Sequence, residues 1–175
     1  VKPDETWKDK RGKEVNEEML LALACRRPIG WGSCSGTHEL KGLAHALSAH
    51  VPEGAIPTGV WKVIDKKLAE AKKMAAKKQN PDGSYDHRWA PNSEPPLLGL
   101  ALEGEKILVT GHMLAWLALC AHQDELDKPY IRNAYQFLRT VRVRKENVVL
   151  FFDMFCHALE GIKLYEKRMP PRQRS

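Results

Sequence analysis

Apolar residues recur at helical spacing along most of this chain. The first such segment runs from Val15 to Arg27, with Asn16 placed to cap it and Met19, Leu20, Leu23 and Ala24 on one face. Pro28 ends it, and the glycines and serines from Gly30 to Gly36 form a turn. A second helix starts near Thr37, points Leu40, Leu43, Ala44 and Leu47 inward, and closes at Pro52 and Gly54. In the third and longest, Val60, Ile64, Leu68, Ala71 and Ala75 form one stripe while lysines fill the remaining circumference. Pro81-Asp82-Gly83 breaks it with a tight turn, and a proline-rich irregular stretch follows to about Gly104. A fourth helix, about Glu105 to His122, is apolar almost all round and belongs inside the fold. The fifth, about Lys128 to Arg142, takes Pro129 in its first turn and sets Ile131, Ala134, Tyr135 and Leu138 on one side. The sixth, about Val148 to Lys167, carries Phe152, Phe155, Leu159 and Ile162. No segment sustains strand alternation, and Val141, Val143, Val148 and Val149 fit a helix better than an extended piece.

The pattern predicts an all-α fold of about three helical hairpins. The apolar second, fourth and sixth helices form an inner layer, and the amphipathic third and fifth form an outer one. Residues 1–13 read as a charged, flexible lead-in, 14–168 as a single domain and 169–175 as a fraying tail.

One short phrase appears three times. His38-Glu39-Leu40-Lys41-Gly42-Leu43 returns as His112-Met113-Leu114-Ala115-Trp116-Leu117 and as His157-Ala158-Leu159-Glu160-Gly161-Ile162. A recurring unit points to copies of one helical element with a histidine at an equivalent place in each.

Composition narrows the class without fixing the activity. At 175 residues, with 43% hydrophobic and 29% charged, the chain can bury a real core. No apolar run reaches the roughly 18 residues of a membrane span. The net charge of +6 is spread over Lys62, Lys66, Lys67, Lys72, Lys73, Lys77, Lys78, Arg139, Arg142, Arg144 and Lys145, which read as solvated helix faces. Few aromatics interleave with them, so no nucleic-acid partner is expected. Cys25, Cys34, Cys120 and Cys156 form no Cys-x-x-Cys pair. Cys120 reads as core, and a Cys25–Cys34 bridge would suit an oxidising compartment. The chain starts at Val1 and shows no signal-peptide core, so it reads as part of a longer protein or as one whose leader has been removed. Both a cytoplasmic and an exported location stay open.

Gln79-Asn80-Pro81-Asp82-Gly83-Ser84-Tyr85 resembles the Gln-x-x-Asp-Gly-Ser-aromatic turn of the terpene cyclase and protein prenyltransferase superfamily. Thr110-Gly111-His112 through Trp116-Leu117 looks like the start of one of that superfamily's inner helices. The chain is also similar to planctomycete proteins with squalene-cyclase-type repeats. The resemblance covers about Gly32 to Tyr165 and implies an α/α toroid, here a partial ring because 175 residues cannot supply every hairpin. The cyclases' Asp-x-Asp-Asp acid motif is absent. Asp153, Cys156 and His157 match the residue types of the prenyltransferase zinc set but not its spacing, so no catalytic role carries over.

Helices opened by the three phrases would set His38, His112 and His157 near N-termini on one side of the layer. Such imidazoles either bond backbone carbonyls of neighbouring loops, locking hairpin to hairpin, or border a pocket. In a pocket they would bind a ligand, act as acid–base groups, or join Cys34 and Cys156 as zinc ligands. The candidate ligand contacts are Thr37, His38, Trp89, Thr110, His112, Asp153 and His157, with Trp89 the foremost aromatic. Asp153 and Glu39 are the carboxylates nearest the histidine phrases. Asp82 and Gly83 read as structural, the carboxylate capping turn N–H groups and the glycine taking positive φ. The expected role is a binding domain for a small molecule or protein partner, including a second copy of itself. The alternative is a toroid-class enzyme acting on an isoprenoid or saccharide.

Overall fold

The computed structural model describes residues 5–52, 54–93, 102–141 and 152–169. Among them are six α-helices: α1 Glu17–Cys25, α2 Thr37–His50, α3 Gly59–Lys78, α4 Leu102–Cys120, α5 Pro129–Thr140 and α6 Phe152–Arg168. The all-helical expectation holds with one correction. Part of the assigned flexible lead-in pairs with the expected start of the first helix as an antiparallel hairpin, β1 Thr6–Lys8 and β2 Glu14–Asn16, with Trp7 opposite Val15. Three-residue strands are too short to show alternation. The Asp9–Lys13 turn is closed by Asp9 Oδ1 accepting from the Arg11 and Lys13 amides.

Asn16 caps α1 by accepting the Met19 amide at 2.9 Å, as its position predicts. The buried face of α1 differs from the expected one. Leu21, Ala24 and Cys25 pack on the core, whereas Met19, Leu20 and Leu23 stand about half exposed. On α3 the expected stripe is buried at Ile64, Leu68, Ala71 and Ala75, and Lys67 joins it. That lysine is not a solvated face. Its Nζ donates to the Ala24 and Arg27 carbonyls and to Glu39 Oε1, all within 2.9 Å, closing the C-terminal end of α1. Glu39 therefore serves Lys67 and orients no imidazole.

α4 is the central rod. Met113 through Ala118 are fully buried, and α4 packs against α2, α6 and α5, while α3 packs against α1, α2 and α5. The α4–α6 crossing is unusually close. A Cβ on Gly161 would lie 2.6 Å from the Gly111 carbonyl oxygen, and one on Gly111 would lie 2.7 Å from the Ala158 nitrogen. Only hydrogen fits at both positions, so the two backbones touch.

The Gln79–Tyr85 turn ties three helices together. Gln79 Nε2 donates to the Gly83 and Tyr130 carbonyls, Asp82 Oδ1 accepts the Ser84 amide and hydroxyl, and the Tyr85 amide donates to Thr110 Oγ1. Gly83 takes φ +85°, and a Cβ there would strike the Asn133 carbonyl oxygen at 2.6 Å. Met169, assigned to the fraying tail, is buried, its amide bonded to the Tyr165 carbonyl at 3.0 Å. Val143, Val148 and Val149 lie outside the described residues.

Candidate functional site

α2, α4 and α6 run in the same direction. His38 of α2 meets His112 of α4 and His157 of α6 at one level, and further along Leu47, Leu119 and Leu164 line a common cavity of about 470 Å³. Only His38 sits at a helix N-terminus. His112 lies midway along α4 and His157 past the first turn of α6, which corrects the expectation that all three open their helices. The cause is that α4 and α6 carry additional helical residues ahead of the repeated phrase.

The rings nonetheless converge. Their centroids stand 4.4 Å apart for His38–His112, 4.0 Å for His112–His157 and 6.1 Å for His38–His157. The glycine contact explains this spacing: His112 follows Gly111, His157 precedes Ala158, and those are the residues whose backbones touch. A Lys41–Glu160 ion pair bridges α2 to α6 one turn below.

His112 is the informative member. It is 1% exposed, and neither ring nitrogen has a hydrogen-bond partner. Few buried polar groups in proteins are left this way. The reading in which these histidines bond loop carbonyls does not describe it. Burial first, then the neighbouring His157 and His38, hold its pKa down to about 3, so the ring is neutral at pH 7. His38 is lowered too, by burial and then by His157.

Cys34 reaches the same point from the loop before α2. Cys34, Ser35 and Gly36 have φ of 50°, 58° and 74°, a left-handed run that costs roughly 1–2 kcal/mol at each non-glycine residue. The loop is fastened from three sides. Thr37 Oγ1 donates to the Cys34 carbonyl at 2.6 Å, the Gly36 amide donates to the Gly32 carbonyl at 3.2 Å, and Trp89 Nε1 donates to the Ser35 carbonyl at 3.2 Å. The Cys34 sulfur and one ring nitrogen each of His38 and His112 lie within 4.8 Å of one another. Burial and then the charge of Asp153 push the Cys34 thiol up.

The remaining sequence candidates divide. Trp89 is 1% exposed and packs 6.3 Å from Trp116, so it holds the loop and does not meet a ligand, which corrects its assignment as the foremost contact. Thr37 and Thr110 are buried and committed to backbone groups. Asp153, its side chain 88% exposed, stands 3.6 Å from His157 Nε2 at the rim. Cys156 is exposed and lies outside the donor set, and Cys25 and Cys34 are free thiols.

A second group, Asp86, His87 and Glu105, was not expected from the sequence. Eighteen residues separate His87 from Glu105, so no local spacing announces the pair. Its acceptors are already filled. Asp86 takes both a backbone and a guanidinium bond from Arg88, which first among several causes hold its carboxyl down to about 2. Glu105 Oε1 accepts from the His87 amide at 2.8 Å and faces His87 Nδ1 at 2.5 Å. This group is a clasp between the long loop and α4.

Comparison of the chain with protein-family models, with curated proteins and with solved structures finds no match in any of the three.

Proposed function

We propose that this chain is a binding domain whose site is the imidazole cluster between α2, α4 and α6, set in a partial ring of α/α-toroid type. The partial ring is supported by three parallel inner rods, with α3 packed on α2 and α5 on α4 as outer members. The single observation that carries the binding reading is His112, buried with both ring nitrogens unpartnered among the described residues. A neutral imidazole in that state presents one donor and one acceptor to whatever enters.

The alternative, a toroid-class enzyme with histidine acid–base chemistry on an isoprenoid or saccharide, is less well supported. His112 at about 3 and a lowered His38 are poorly poised to exchange protons near neutrality. The carboxylate beside His157, that of Asp153, is solvent-exposed. Binding therefore fits the groups better than proton transfer.

Two measurements on the protein as isolated test the proposal together: native mass spectrometry, and nitrogen-15 spectra of the histidine rings. Expected are a bound mass absent from the H38A and H157A variants, and His112 nitrogens shifted from those of a free neutral imidazole. A bare chain with unshifted His112 nitrogens would overturn it.

A further inference from the structure

We propose that the occupant of this site is a single divalent cation of the zinc class, held by Cys34, His38 and His112 with its fourth position open. The inference rests on the reading of the imidazole cluster as a binding site and names what it binds.

The donor set is the first argument. One thiolate and two imidazoles form the borderline-soft combination that suits zinc, whereas calcium and magnesium call for oxygen donors. The geometry is the second. Tetrahedral zinc, at ~2.0–2.1 Å from nitrogen and ~2.3 Å from sulfur, sets its donors about 3.3–3.6 Å apart. The three donors already lie within 4.8 Å of one another, so the separations shorten by only about 1 Å to close on an ion. His38 and Cys34 are the movable members, one exposed and one in a loop, while His112 is fixed inside α4.

His112 supplies the third argument. Coordination gives one of its orphaned nitrogens a partner that no protein group provides. The one proton that must leave is the Cys34 thiol's, released to solvent as the sulfur–metal bond forms. The fourth argument is the left-handed run at Cys34 and Ser35, held by Thr37 and by the buried Trp89, which aims the thiol at the two rings. His157 stands beside the set with its ring 4.0 Å from that of His112. A site with three protein donors and one exchangeable position is the arrangement that lets zinc bind a further small molecule or activate water.

The test uses cobalt(II) and zinc with the full chain after chelator treatment. Cobalt should bind at one ion per chain and develop a thiolate-to-cobalt charge-transfer band together with intense tetrahedral visible bands. Zinc should displace it and release one proton per ion. C34S should abolish the charge-transfer band, and both C34S and H38Q should weaken zinc binding by at least ~100-fold, more than the loss of an outer-shell partner costs. C156S and H45Q, altered at exposed residues outside the set, should bind as the parent does. Circular dichroism of each variant confirms that it folds. A cobalt spectrum unchanged in C34S, or zinc affinity in C34S equal to that of the parent, overturns the proposal. Absence of any stoichiometric cobalt or zinc binding also overturns it. In that last case shifted His112 ring nitrogens in the isolated protein would leave the wider binding reading standing, and unshifted ones would remove both.

Discussion

Replacing His112 with leucine should make the metal-free protein more stable. The side chain is 1% exposed with two polar atoms lacking partners. Burying such a group unsatisfied costs about 1–3 kcal/mol on protein scales, and an apolar side chain of similar volume removes that cost. Against this stands a packing mismatch of up to about 1 kcal/mol, because a branched alkyl group does not copy a flat ring. The expected net gain at pH 7 is about 1–2 kcal/mol, a rise of roughly 2–8 °C in Tm for a chain of this size.

Acid sharpens the comparison. With a folded pKa of about 3 against an ordinary 6.5, the unfolded chain takes up its proton first as pH falls. The parent thus keeps its full stability above pH 6.5 and loses it steadily as pH descends toward 3. At pH 5 the loss attributable to His112 is about 2 kcal/mol, and the leucine variant escapes it. Every other titratable residue is common to both proteins, so the difference between the two reads the His112 substitution. Urea denaturation of both at pH 7 and pH 5, with chelator present, reads the result. A variant less stable than the parent at pH 7, or a stability difference that does not grow toward pH 5, would refute the reasoning.

Three further outcomes follow from the packing. G161A should destabilise by about 1–3 kcal/mol, because its Cβ would stand 2.6 Å from the Gly111 carbonyl oxygen; G42A, with open space around it, should gain about 0.5–1 kcal/mol by helix propensity. K67M should cost about 3–5 kcal/mol by leaving two carbonyls without their donor and Glu39 with only the more distant Arg27, while K66M on the exposed face stays within about 0.5 kcal/mol, both read by chemical denaturation. G83A should cost more than about 1 kcal/mol through its positive φ and its collision with Asn133, measured as a fall in Tm with the helical signal intact below the transition.

The helices were legible wherever periodicity was strong, as in the Ile64–Ala75 stripe and the apolar circumference of α4. The Gln79–Tyr85 turn was legible because Asp82 and Gly83 have specific backbone chemistry. The repeated phrase singled out the three histidines that parallel rods bring to one level, but not their different depths along α2, α4 and α6. What periodicity could not carry was the role of residues whose partners are distant in sequence. Lys67 sits among lysines such as Lys62, Lys66 and Lys73 that do face water, and the end of α1, forty residues away, makes it different. Trp89 looked accessible because its loop is polar, yet its indole closes on Ser35 across 54 residues. The face of α1 was misjudged because a nine-residue helix with seven apolar positions offers more than one stripe.

The case for function rests on where the fold's unfavourable features lie. Elsewhere the buried polar groups are answered: Lys67 by three acceptors, Thr110 by Tyr85, Trp89 by Ser35, and the end of α4 by Arg168. Among the described residues only four buried side-chain atoms lack a hydrogen bond. One is Glu39 Oε2, which has Arg27 at 3.6 Å, and another is Ser93 Oγ, at the edge of the described chain. The other two are the nitrogens of His112. Beside them lie the left-handed Cys34 and Ser35 and two more imidazoles, with His38 held down by burial and then by His157. Scattered defects would mark an indifferent fold. Defects gathered within one cluster, in a chain whose described residues otherwise satisfy nearly all their buried polar groups, favour a place where something other than stability selected the residues.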